Sequence, residues 1–115
     1  MENTTIYIVN VIWDVYGIES EDGQKVYKLI EKAFSEEKKV ILSFRNIQLL
    51  TVTFLYNAVG LLYCYYTEDF IKENLKISDI SISGKVLLKR VVETAKLYCK
   101  DRIAYKRFLF ELNIE

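Results

Sequence analysis

With 115 residues, zero formal net charge and 51% apolar residues, the chain has material for one domain with a real core, which excludes a disordered segment or two ordinary domains. The balanced charge argues against strong attraction of the whole chain to nucleic acid or anionic lipid. Histidine is absent, which removes Ser-His and Cys-His nucleophiles, imidazole bases near neutral pH and the His-containing zinc sites.

Met1 leads into Glu2 and Asn3 rather than a basic start and an apolar run, so no signal peptide is expected. Thr4 to Trp13 is β-branched and aromatic, and reads as a first strand that is apolar on both faces. Asp14 to Gly23 holds two glycines and four acids, which stop the strand and introduce a helix with Asp22 as its N-cap. On that helix Val26, Leu29, Ile30, Ala33 and Phe34 share one face, with Lys25, Lys28, Glu31 and Lys32 opposite. Glu19, Glu21 and Asp22 lack calcium-loop spacing and read as a solvated acidic turn.

Val40, Ile41 and Leu42 form a short apolar run ended by the turn-prone Arg45 and Asn46, which predicts a buried strand. A joint, Gln48 to Thr53, then enters a helix. There Phe54, Ala58, Leu61 or Leu62 and Tyr65 make one apolar stripe, and Leu55, Val59 and Tyr66 a second beside it. From Asn46 to Thr67 no residue is charged, yet Gln48, Thr51, Thr53 and Asn57 interrupt the apolar character. A membrane span needs about 20 predominantly apolar residues, so a core helix is expected. Thr51 or Thr53 is the N-cap on residue chemistry alone; the functional alternative is phosphorylation of one of them. Gly60 in mid-helix implies close approach of another backbone, and Asn57 a bond to a neighbouring loop.

Thr67, Glu68 and Asp69 open a short amphipathic piece, and a third strand falls within Leu75 to Ile80. Ser83 and Gly84 begin a long helix whose inner face is Leu88, Val91, Val92, Ala95 and Tyr98 or Cys99. Ser83-Gly84-Lys85 is not a phosphate loop, because Asp79 and Val86 stand where Gly and Ser or Thr would be needed. The spacing Tyr105, Phe108, Leu109, Leu112 extends that helix or forms another. Lys100, Arg102, Lys106 and Arg107 then read as its solvated side rather than a nucleic-acid patch. Cys64 and Cys99 lie on separate helices without Cys-x-x-Cys spacing and are expected as reduced, buried hydrophobes of a cytoplasmic protein. Strands alternating with helices at these intervals predict an α/β domain with a largely parallel sheet of about four strands.

The run VILSFRNIQLLTVTF resembles the strand-loop-helix centre of STAS domains, the fold of anti-sigma-factor antagonists. TVTFLYNAVGLLY, EDFIKENLKISDIS and LLKRVVETAKLYC together look like a small bacterial STAS-like family of unknown function. The spacing of Thr53, Phe54, Asn57 and Gly60 is the most specific part of that match. The sequence departs from antagonists at Ser43, where Asp is usual, at Thr51 in place of an acid, and at Phe54 in place of Gly. The resemblance implies a non-enzymatic signalling module without cofactor or metal. Its partner would be a protein, a histidine-kinase-like ATPase or a second copy in a homodimer. The contact surface would be the loop and helix around Thr53, the phosphosite position, with Thr51, Phe54, Asn57 and Gly60. The alternative is a small-ligand or nucleotide sensor using the same helix N-terminus.

Overall fold

The computed structural model describes the backbone of residues 2–111 and the side chains of residues 2–99. Three parallel strands, β1 (Asn3–Tyr7), β3 (Lys39–Ser43) and β5 (Leu75–Ser78), form a sheet in that spatial order. A second ladder of two residues per strand pairs β2 (Tyr16–Gly17) with β4 (Leu49–Leu50), also parallel. The α/β class and the parallel sheet are therefore as the alternation requires. The strand arrangement differs from the expected four because a two-residue ladder leaves no periodicity to detect.

The central strand carries the burial. Val40 and Leu42 are almost fully enclosed, and register aligns Ile6, Leu42 and Ile77 across the sheet. The opposite face carries Thr5 and Lys76, both exposed, beside a half-buried Ile41. The core thus gathers on one face, and the expected two-sided burial of the first strand does not occur. That strand also stops early: Ile8–Ile12 is a helix, α1, with Ile8 and Ile12 buried one turn apart. β-branched residues adopt helix here because both can be enclosed against the next helix, residues 20–35, so tertiary packing overrides local propensity.

The helix α2 (Ser20–Ser35) buries Val26, Ile30, Ala33 and Phe34, while Leu29 stays 41% exposed. It begins at Ser20, with Asp22 in the first turn bridged to Lys25 at 3.4 Å instead of capping the helix. Phe34 meets Tyr66 and Phe70 edge-on, with ring centroids 5.2 and 5.1 Å away.

After β4 the chain forms α3 (Val52–Leu55), a π-helical turn (Tyr56–Gly60) and α4 (Leu62–Tyr65) in succession. The wide turn is closed by the Leu61 N–H donating to the Tyr56 carbonyl at 3.0 Å. It turns Ala58, Val59 and Gly60 inward together, three consecutive buried positions that an α-helix stripe does not provide. A short helix, α5 (Glu68–Asn74), capped by Thr67, leads into β5. The last helix, α6 (Ile82–Glu111), follows β5 after residues 79–81 and runs unbroken to Glu111. The helical spacing of Tyr105, Phe108 and Leu109 therefore belongs to an extension of that helix, while Leu112 and the side chains of the basic cluster lie outside the described residues. Among the described residues no helix is long and apolar enough to cross a membrane.

The cysteines differ from expectation. Cys64 and Cys99 are joined in a disulfide, with Cα atoms 5.0 Å apart. Two helices distant in sequence pack side by side, α4 against α6, and helical periodicity does not reveal which faces will meet.

Candidate functional site

The carboxyl ends of the three parallel strands share one rim, since Tyr7, Ser43 and Ser78 are in register. Open α/β sheets tend to bind ligands and partners at this edge, where loops leave the strands. Ser43 is buried there and donates to Asp79 Oδ2 at 2.9 Å. The hydroxyl standing where the resemblance places an acid is therefore paired with an acid from the next strand's end. Asp79 itself takes φ 59°, and Asn46 takes φ 65° in the turn after β3, a left-handed conformation that Asn and Asp tolerate best.

The joint is fixed by bonds to the loop from α1. Gln48 N–H donates to the Val15 carbonyl at 2.7 Å and Thr51 N–H to the Gly17 carbonyl at 3.0 Å. The Thr51 hydroxyl donates to the Ile18 carbonyl at 2.8 Å and accepts from the Phe54 N–H at 3.1 Å. Thr51 is therefore the N-cap, and both functions of its hydroxyl are taken. Such a cap contributes about 1 kcal/mol. Thr53, two residues on, is exposed on the first turn.

The remaining motif residues divide. Phe54 is fully buried and Gly60 is buried, so neither can meet a partner; a large ring in the core explains the one and helix contact the other. A Cβ on Gly60 would meet side chains, Tyr56 Cδ1 at 3.0 Å and Val91 Cγ1 at 3.3 Å. The close backbone approach expected at Gly60 occurs instead at Gly23, where a Cβ would lie 2.6 Å from the Phe54 carbonyl oxygen and 3.2 Å from the Ala58 nitrogen. In the sequence Gly23 reads only as a helix-entry residue, because nothing in a lone glycine marks which helix will cross it. Asn57 bonds within its own helix, donating to the Thr53 carbonyl at 2.8 Å, and accepts from Gln24 Nε2 at 3.4 Å. It thus ties the helix to α2 rather than to a loop.

The segment leading to Thr53 and the loop paired with it expose apolar side chains. Leu49 is 51% exposed, Val52 50%, Tyr16 46% and Ile18 37%, and Tyr16 lies opposite Leu49 in the small ladder. Leu49 and Leu50 continue into a groove of about 300 Å³ whose far wall is Ser83, Val86, Leu87 and Arg90 of α6. The ladder that carries these side chains is the element sequence reasoning missed; its only sequence signal is the pair of short apolar clusters at 15–18 and 49–50.

Among the described residues the phenols with displaced pKa values are Tyr27, Tyr63 and Tyr66, all raised chiefly by burial. For Tyr27 a bond to Glu31 adds to the effect, whereas Lys96 partly opposes it at Tyr63. Tyr27 belongs to α2, and Tyr63 and Tyr66 to α4 and its C-cap, not to the rim. Among the described residues no three His, Cys, Asp or Glu side chains converge as a metal set would.

Comparison with known families finds that residues 22–85 match a family described as a STAS-like domain of unknown function (DUF4325). That span runs from the start of α2 to the first turn of α6 and includes the joint and the π-helical turn. No curated protein and no solved structure matches the chain.

Proposed function

Because the chain belongs to the family of STAS-like domains of unknown function, we propose that it is a non-enzymatic, cytoplasmic regulatory module, recognised by a protein partner along the rim from Leu49 to Asn57. The observation that carries this reading is that Thr53 is exposed on the first turn of α3 next to exposed Val52, just beyond a ladder that exposes Tyr16 and Leu49. Apolar side chains gathered in one patch mark contact sites more often than singly exposed ones do.

The partner is a protein kinase of the histidine-kinase-like ATPase type, and Thr53 is its target. Thr51 is unsuited to that role because its hydroxyl already caps the helix and bonds Ile18. A phosphate on Thr53 adds roughly −1.5 to −2 charge at the positive end of the helix. The modification therefore leaves the helix intact while changing the surface that the partner reads.

Titration of the purified ATPase partner with Thr53→Asp should change the dissociation constant about tenfold or more, equivalent to roughly 1.4 kcal/mol. Leu49→Asp should weaken binding as well. Glu73→Lys, on exposed α5 near the opposite edge of the sheet, should leave it unchanged. Equal affinities for wild type, Thr53→Asp and Leu49→Asp would count against the reading.

A further inference from the structure

We propose that the Cys64–Cys99 pair is a reversible redox clasp, closed by a small-molecule disulfide and opened by a dithiol reductant, which decides how far α6 is held to the body. The placement of the pair carries the argument. On α6, Val91 and Ala95 are buried at 2% and 0% exposure and anchor the helix against the core, whereas Leu97 and Tyr98 are 68% and 53% exposed. Cys99 is the last described buried side chain on this helix, at 3% exposure, and the backbone continues helical to Glu111. The other fastening nearby is polar: Lys96 pairs with Glu68 at 3.0 Å and lies 5.4 Å from the centre of the Tyr63 ring. Exposed ion pairs of this kind hold weakly. Among the described side chains, firm attachment with the disulfide open therefore ends at Ala95. With it closed, attachment reaches Cys99, one turn further.

Access favours exchange. Cys64 is only half-buried, at the end of α4 beside Tyr65, which is 65% exposed. Closing begins when the Cys64 thiolate attacks oxidised glutathione, forming a mixed disulfide and expelling one glutathione thiolate. The Cys99 thiolate then attacks the Cys64 sulfur, forming the internal bond and expelling the second. Two protein thiols and one disulfide become one protein disulfide and two small thiols, the two protons passing to the leaving thiolates; a dithiol reverses the sequence. In a reducing cytosol the clasp stands open, and oxidation closes it.

The test uses the full chain equilibrated in reduced or oxidised glutathione, with free thiols counted by alkylation and intact mass, and with amide exchange and melting followed in each state. Expected are two free thiols in the reduced buffer and none in the oxidised one. The reduced chain should still melt cooperatively, about 10 °C lower. Its exchange should rise at least tenfold from Leu97 onward, with β3 and the Val91 turn unaltered. A Cys64→Ala, Cys99→Ala variant should reproduce the reduced state in both buffers; should it fail to fold, Cys64→Ser alone serves. Thiols that stay free or carry only glutathione in the oxidised buffer would overturn the proposal. So would reduction that unfolds the whole chain, or reduction that leaves exchange beyond Leu97 unchanged.

Discussion

Phe54→Ala is expected to lower folding stability by about 3–5 kcal/mol, a large part of the roughly 5–15 kcal/mol available to a domain of this size. Phe54 is fully enclosed and heads the largest buried side chains. It sits where α3 meets α2: a Cβ on Gly17 would touch its ring at 3.1 Å, and its own carbonyl oxygen lies against Gly23. Removing the ring takes away its transfer free energy and leaves a cavity between helices held elsewhere by the π-helical turn, so the site can collapse only partly. Urea denaturation followed by far-ultraviolet circular dichroism measures the loss. A change below about 1 kcal/mol would mean that the ring is not enclosed as described.

Gly23→Ala gives the second large effect, and its sign discriminates. In an exposed helix interior Ala is favoured over Gly by about 1 kcal/mol. At Gly23 the added methyl would lie 2.6 Å from the Phe54 carbonyl oxygen and 2.8 Å from Asn57 Cβ. The first of these is backbone and cannot turn aside, so α2 and α3 must move apart. Overpacking of this kind costs about 1–3 kcal/mol or more, and net destabilisation by about 1–2 kcal/mol is expected in the same denaturation experiment. Gly60→Ala provides the contrast, because its nearest neighbours are the Tyr56 and Val91 side chains, which can give. A stabilised Gly23→Ala variant would contradict the close helix crossing.

These residues also show what the sequence could disclose. The apolar run at Val40–Leu42, bounded by Arg45 and Asn46, declares a strand by its β-branched, apolar content, although only Val40 and Leu42 of it are fully enclosed and Ile41 is half-buried on the other face. The helical stripes of α2 and α6 were visible because each has a polar side. The likeness of Thr53, Phe54, Asn57 and Gly60 to a family motif led to the STAS-like domain. What stayed hidden depends on contacts between distant segments. Ile8 and Ile12 look like strand residues until α2 covers them. The two-residue ladder of Tyr16–Gly17 with Leu49–Leu50 is too short for any period, although it carries much of the apolar rim. The close helix crossing falls at Gly23 because of how α2 lies on α3. The facing of Cys64 and Cys99 follows from α4 lying beside α6.

The motif residues accordingly serve two ends. Phe54, Asn57 and Gly60 fasten the helix to its neighbours, and Thr51 caps it; these positions build a platform. Thr53 is the motif position left facing outward, beside exposed Val52 and next to a ladder outside the motif that exposes Tyr16 and Leu49. Recognition at that platform would depend on a rigid scaffold beneath a small, changeable surface, which a single charge could alter without disturbing the core.

Amide exchange of the chain with and without a histidine-kinase-like ATPase, the partner proposed for it, tests this most directly. Slowed exchange concentrated in residues 47–57 and in the facing segment 15–18 is the predicted result. Slowed exchange confined to the opposite edge of the sheet, around Asn3, Lys39 and Glu73, with 47–57 unchanged, would contradict it.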